Sequence, residues 1–162
     1  RDYLQDKAGF LAVNCQTNSN NHGFNIINKQ YRRMDCFSLD ETELLLAVGR
    51  RHVDYLVELK KLRSSFYANY AWLTRGSVET IGLKDGCPPA ICFPLEPEIT
   101  DTVGAGDAFF SLACLGAAKG YDGRLITFLG QLAGAQAVKI VGNTKPICKK
   151  TLLKSGMALL NF

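Results

Sequence analysis

The sequence predicts an α/β protein, an open sheet with helices on both faces and an antiparallel hairpin at one edge. Three observations carry that expectation. Short apolar runs that end in polar residues alternate with longer stretches whose apolar residues recur at helical spacing. An Asp-Gly turn, Asp85-Gly86, sits between two further apolar runs. The chain has 162 residues, 47% hydrophobic and 21% charged, which places it among globular domains large enough to close a core unaided.

The elements follow in order. Phe10–Cys15 (FLAVNC) reads as a short buried strand running into a polar, Asn-rich loop, Gln16–Gly23, and Met34–Leu39 as a second strand. Asp40-Glu41-Thr42-Glu43 leads into LLLAVGRR. Acidic residues first and arginines last complement a helix dipole, so a helix opens there. His52–Arg63 places Val53, Leu56, Val57, Leu59 and Leu62 on one helical face. Tyr70–Thr74 (YAWLT) is a third strand, stopping at Arg75-Gly76. Val78–Lys84 and Ala90–Leu95 form the hairpin, with Pro88-Pro89 confined to its loop or edge. Ala105–Lys119 is apolar nearly all round and reads as a buried helix that Gly120 ends. Asp122 opens a long helix over Arg124–Val141, which Gly142-Asn143 closes, and a short helix falls near Lys149–Leu160. No internal repeat or heptad pattern is present.

Composition removes several function classes. The longest nearly apolar run, Ala108–Ala118, is about half of the roughly twenty residues a membrane span needs. The 19 Lys+Arg against 15 Asp+Glu give a net charge of +4, with no dense basic block of the kind that binds nucleic acid. Six cysteines (Cys15, Cys36, Cys87, Cys92, Cys114 and Cys148) include no CxxC pair, and the stretch before them does not read as a signal peptide. They read as reduced, structural thiols of a cytoplasmic protein. The sequence begins at Arg1 with no methionine, which reads as a piece of something longer.

The chemistry concentrates in Asp101-Thr102-Val103-Gly104-Ala105-Gly106-Asp107. Glycines just ahead of a helix allow a tight bend and leave the first N–H groups uncovered, where the helix dipole makes an anion site. A carboxylate among those amides competes with a bound anion unless it has its own task. Asp107 accepting a proton while the amides hold a transferring anionic group is one such task. The other reading is a capped helix, with Asp101 or Thr102 as cap and Asp107 complementing the dipole. A dinucleotide fingerprint, GxGxxG, takes Gly104 and Gly106 but meets Phe109 in place of its third glycine, and lacks the strand before it.

DTVGAGDAFFSLACLGAAKG resembles the carboxy-terminal motif of the ribokinase/PfkB carbohydrate kinases, D-T-x-G-A-G-D followed by a buried helix, and Asp101–Asp107 matches it throughout. The resemblance implies a ribokinase-like, Rossmann-like sheet and ATP-dependent phosphorylation of a sugar or sugar-phosphate hydroxyl with Mg²⁺. It also implies Asp107 as catalytic base and the amides of Gly104, Ala105 and Gly106 as the anion hole. The physics agrees: phosphoryl transfer passes through a loose transition state that positioning and electrostatics stabilise. A carboxylate of reference pKa about 3.9 is ionised and ready at neutral pH.

Other family positions fall on this chain with departures. The N-x-x-E motif, linked to Mg²⁺ and the ATP phosphate through water, corresponds to Asp40–Glu43: Glu43 fits, while Asp40, the candidate ATP-binding residue, stands where Asn is usual. A capped helix with an acidic first turn explains the same residues. The T-x-G-x-x-G loop over the ATP phosphates resembles Thr74–Glu79; Thr74 and Gly76 match, Glu79 replaces the last glycine, and Arg75 is a candidate phosphate ligand or a solvated loop residue. The nucleotide-base position falls on Gln131, which otherwise reads as a polar residue facing solvent. A monovalent cation such as K⁺, bound by many members, would meet the Asp101 side chain and the carbonyls of Val103, Ala137, Ile140 and Gly142. Pro146 replaces a small residue there, beside Lys145. The region before Asp40 is similar to the heptose-phosphate kinase branch.

The resemblance covers residues 1–162 as the carboxy-terminal, ATP-binding and catalytic portion of a chain about twice as long. The sugar-binding half and lid are expected upstream, the partial domain is expected to be inactive alone, and its uncovered edge is expected to favour a homodimer. Two other classes remain at this point: a non-catalytic nucleotide-binding relic in a multidomain protein, and a dehydrogenase-type domain binding NAD(H).

Overall fold

The computed structural model describes residues 1–17 and 26–161. Five strands form one sheet in the order β1 (Ala12–Asn14), β2 (Cys36–Asp40), β3 (Tyr70–Thr74), β4 (Thr80–Lys84) and β5 (Ala90–Cys92). β1, β2 and β3 are parallel, while β4 and β5 each run antiparallel to the strand before. β3 shows how the sequence builds this sheet. Its side chains alternate across the pleat and both sets are buried, Tyr70 and Trp72 in one core cluster, Ala71 and Leu73 in the other. A strand apolar on both faces belongs in the middle of a sheet covered on both sides, and that is its position.

The helices are α1 (Asp2–Lys7), α2 (Ile27–Gln30), α3 (Glu41–Val48), α4 (Tyr55–Ser65), α5 (Ala105–Ala118), α6 (Gly123–Ala137) and α7 (Lys149–Leu160), with a 3₁₀ turn over Val141–Asn143. On one face, Leu44 of α3 and Leu59 and Leu62 of α4 pack against Phe37, Leu39 and Leu73. On the other, Phe109, Ala113 and Ala117 of α5 and Ile126 of α6 pack against Cys36, Tyr70 and Trp72. This is the expected doubly covered sheet. α6 lies close to β4 because Gly82 has no side chain: a Cβ there would stand 2.1 Å from Thr127 Oγ1. Thr127 needs that space, since it accepts from the Trp72 indole at 3.1 Å and donates to the Gly123 carbonyl at 2.7 Å. The one buried indole N–H is thereby satisfied.

The structure differs from the sequence reading at several edges. The antiparallel part starts with β3–β4 rather than with the β4–β5 hairpin alone, because the link from Thr74 to Thr80 is far too short for a parallel crossover. α4 begins at Tyr55, not His52, since Asp54 caps it by accepting from Val57 N. α6 ends at Ala137, where the Val138 N–H bonds the Gly134 carbonyl, and Gly142 then turns with φ +57°. α1 and α2 were not expected. α1 is held by Arg33, which donates to the Gln5 and Ala8 carbonyls at 2.6 and 2.9 Å. Most of the expected Gln16–Gly23 loop lies outside the described residues. None of the six cysteines is joined in a disulfide. No described helix is long and apolar enough to cross a membrane.

Candidate active site at the carboxyl ends of the parallel strands

Three parallel strands end side by side, and each ends on a polar residue: Asn14 on β1, Asp40 on β2, Thr74 on β3. Such a row at the carboxyl edge is where open α/β sheets bind ligands. The amino end of α5 comes down over it. A cavity of about 210 Å³ lies between, walled by Asn14, Ser38, Asp40, Glu43, Thr74, Gly104, Gly106 and Asp107 among others. A larger one of about 690 Å³ adjoins it, sharing Asp40, Thr74 and Gly106, and continues past Gly76, Ser77 and Thr80 to Gln131, with Pro94, Leu95 and Ile99 as an apolar wall.

The bend before α5 has the geometry its sequence suggests. Gly104 caps the helix at φ +80°, the left-handed region that glycine occupies without steric cost. A Cβ at Gly106 would meet nothing within 4 Å, so among the described residues that side of Gly106 is open. The Ala105 amide donates to the Thr102 carbonyl at 3.2 Å, while the Gly106 and Asp107 amides find no acceptor among the described residues. Of the expected Gly104–Gly106 trio, the Gly104 and Gly106 amides are thus left without an acceptor among the described residues, and the Asp107 amide joins them. Asp107 is exposed and its Oδ1 accepts from Asn14 Nδ2 at 2.9 Å and Gln16 Nε2 at 2.5 Å. Two amide groups from the end of β1 thus fix the carboxylate. Asn14 and Gln16 were missed in the sequence; the signal available was a strand that ends in Asn.

Asp40 and Glu43 form a capping box at the start of α3: Asp40 Oδ1 accepts from Glu43 N at 2.7 Å, and Glu43 Oε2 accepts from Asp40 N at 2.8 Å. Glu43 Oε1 also accepts from Thr17 N at 2.9 Å. Both residues line the smaller cavity while capping the helix. Burial pushes the Glu43 carboxyl up to about 7, and the charges of Asp40 and Asp107 add to that against its backbone donors.

Arg75, expected near phosphate, is placed on two carboxylates. Its Nε lies 2.7 Å from Glu41 and its Nη1 2.6 Å from Glu79, and its guanidinium stacks 4.5 Å from the Tyr55 ring centre. Thr74 and Gly76 of the same loop do line the larger cavity. Gln131 faces that cavity rather than solvent, its Oε1 accepting from Thr80 Oγ1 at 2.8 Å.

At the expected cation position the structure brings Asp101 and Gly142 together. Asp101 Oδ1 accepts from Val103 N at 2.9 Å and Oδ2 from Gly142 N at 2.8 Å, and these donors hold its carboxyl below the usual carboxylate range. The Ala137 carbonyl accepts from Ile140 N at 2.8 Å. Hydrogen bonds thus already join the loop. Lys145 and Pro146 are exposed. Among the described residues no group of three or more His, Cys, Asp or Glu side chains is arranged to hold a metal ion.

The arrangement defines a class first: the fold is ribokinase-like, a mixed open sheet with helices, the amino end of α5 lying over its carboxyl edge. The solved structures it resembles are carbohydrate kinases. 2-Dehydro-3-deoxygluconokinase from Thermotoga maritima superposes with a TM-score of 0.78 at 14% identity, covering 96% of this chain and 52% of that one. Arabidopsis thaliana ribokinase complexed with ribose and ATP gives 0.75 at 18% identity, covering 95% and 49%. Escherichia coli phosphofructokinase-2 in complex with potassium gives 0.69 at 19% identity, covering 79% and 42%. The chain thus spans about half the length of these kinases. No protein-family model matches the chain, and no curated protein matches it.

Proposed function

We propose that residues 1–162 are the catalytic and nucleotide-binding portion of a cytoplasmic sugar or sugar-phosphate kinase, whose acceptor-binding half and lid are supplied by other sequence. The observation that carries the reading is the pairing, in one cavity, of the Asp107 carboxylate with unengaged amides at the start of α5. In this reading the acceptor hydroxyl sits against Asp107, its oxygen forms the new bond to the γ-phosphorus, the bond to the β-γ bridging oxygen breaks, and ADP leaves. Asp107 takes the hydroxyl proton, oriented by Asn14 and Gln16. The amides of Gly104, Gly106 and the adjoining Asp107 face the oxygens where charge gathers, with Ala105 between them and its own amide on the Thr102 carbonyl.

ATP would lie along the larger cavity, its phosphates over Thr74, Gly76 and Ser77 and its base between Gln131 and the wall of Pro94, Leu95 and Ile99. Asp40 and Glu43 suit a Mg²⁺ held through water, because a cation there would relieve the negative charge of Asp40 and Asp107 that adds to burial in raising Glu43. When bound, Mg²⁺ supplies electrostatic neutralisation of the phosphates. Asp101 retains lone pairs for a K⁺ ion beside the Val103, Ala137, Ile140 and Gly142 carbonyls. The 162-residue chain alone is expected to turn over little sugar, since nothing among the described residues sequesters an acceptor beside Asp107, and a β1 edge that no described strand covers suits pairing with further strands or a second copy.

The test is Asp107→Asn in the full-length protein. A general base should cost roughly 10²–10⁴-fold in kcat with nucleotide binding retained. A second reading, a nucleotide-binding relic without turnover, draws on the departures at Asp40, Glu79 and Gln131. It predicts nucleotide binding with no phosphotransfer to lose.

A further inference from the structure

No Lys or Arg is among the described residues that wall the two cavities, whereas Asp40, Glu43, Asp107 and Glu96, the last paired with Lys139, are. Two further carboxylates flank the same corner: Glu41, next to Asp40, and Glu79, between Ser77 and Thr80. A polyanion settling on Thr74–Ser77 would meet this charge at short range, where it is poorly screened. Arg75 stands between the two flanking carboxylates, only 20% exposed, with Nε on Glu41 and Nη1 on Glu79. Its flat face rests on Tyr55, the first residue of α4. Charge-assisted bonds of this kind are among the strongest a side chain makes. To reach a phosphate, Arg75 would have to surrender them and the ring. Its backbone also closes the loop, with Arg75 N bonding the Glu79 carbonyl at 2.9 Å and Val78 N bonding the Arg75 carbonyl at 2.9 Å.

We propose that Arg75 is a positioning residue that screens Glu41 and Glu79 from a bound nucleotide triphosphate and ties the β3–β4 loop to the starts of α3 and α4, without itself touching phosphate. Glu79 is tolerated beside the proposed phosphate position because Arg75, four residues earlier, neutralises it in place. The inference rests on the proposed nucleotide site and deepens it.

Calorimetric titration of the full-length protein with ATP and Mg²⁺ tests it, each variant's thermal melt being recorded alongside. Arg75→Ala exposes two carboxylates and is expected to weaken binding by about 10-fold at low salt, the deficit shrinking as salt rises. Adding Glu41→Gln and Glu79→Gln to Arg75→Ala removes what Arg75 screened and is expected to restore binding to within about 3-fold. If the triple variant stays as weak as Arg75→Ala, Arg75 is a direct ligand and the inference falls while the nucleotide site stands. If Arg75→Ala binds as the parent does, it falls equally. If the parent protein binds no ATP, the nucleotide reading itself fails. Should Arg75→Ala not fold, Glu79→Gln alone decides: it leaves Arg75 with spare positive charge and is expected to tighten binding about 2-fold, and unchanged or weaker binding overturns the proposal.

Discussion

Glu43 makes the chemistry of the site visible in stability. Its carboxyl titrates near 7 in the folded protein against an ordinary value of 4.5. Between those values the folded state holds a proton that the unfolded state has lost, so stability falls as pH rises from about 4.5 to about 7. Glu43→Gln should flatten that part of the profile, read as urea midpoints at about pH 5 and pH 8. The variant also loses one acceptor of the capping box, which lowers the whole curve without tilting it. A slope unchanged in Glu43→Gln would assign the titration elsewhere. Glu43 is at once part of the helix's capping box and a cavity wall, so the capped-helix reading of Asp40–Glu43 leaves the same carboxylates facing the cavity.

Packing between α6 and the sheet depends on a missing side chain. Gly82→Ala would drive a methyl into Thr127 Oγ1 and disturb the hydroxyl that satisfies Trp72. The expected cost is about 1–3 kcal/mol by chemical denaturation, with near-native stability refuting the close approach. Elements with strong internal pattern could be read from the sequence: YAWLT gives β3 to the residue, and α5 and α7 fall within a residue of expectation. α1 could not, because a six-residue helix carries too little periodicity and is held by the distant Arg33. The site divides in the same way. The bend and Asp107 are written in one contiguous stretch, whereas Asn14 reaches Asp107 across 93 positions. Arg75 is a loop residue whose partners only the folded chain assembles.

Sheet polarity organises the entire molecule. Because β1, β2 and β3 run the same way, Asn14, Asp40 and Thr74 come out at one end, and the return of the chain into β4 puts the Gly76 loop there too. β4 then carries the chain to the opposite end, where it turns at Asp85-Gly86, and β5 brings it back to form the Pro94–Ile99 wall. Gly86, exposed and at φ +69°, is therefore a full strand length from every residue assigned a part in binding. A reporter tag or new chain termini spliced between Gly86 and Cys87 should leave ATP titrations as they were, whereas the same splice at Gly76 should abolish them. That remote turn offers a handle for tethering or labelling the protein while its working end stays free.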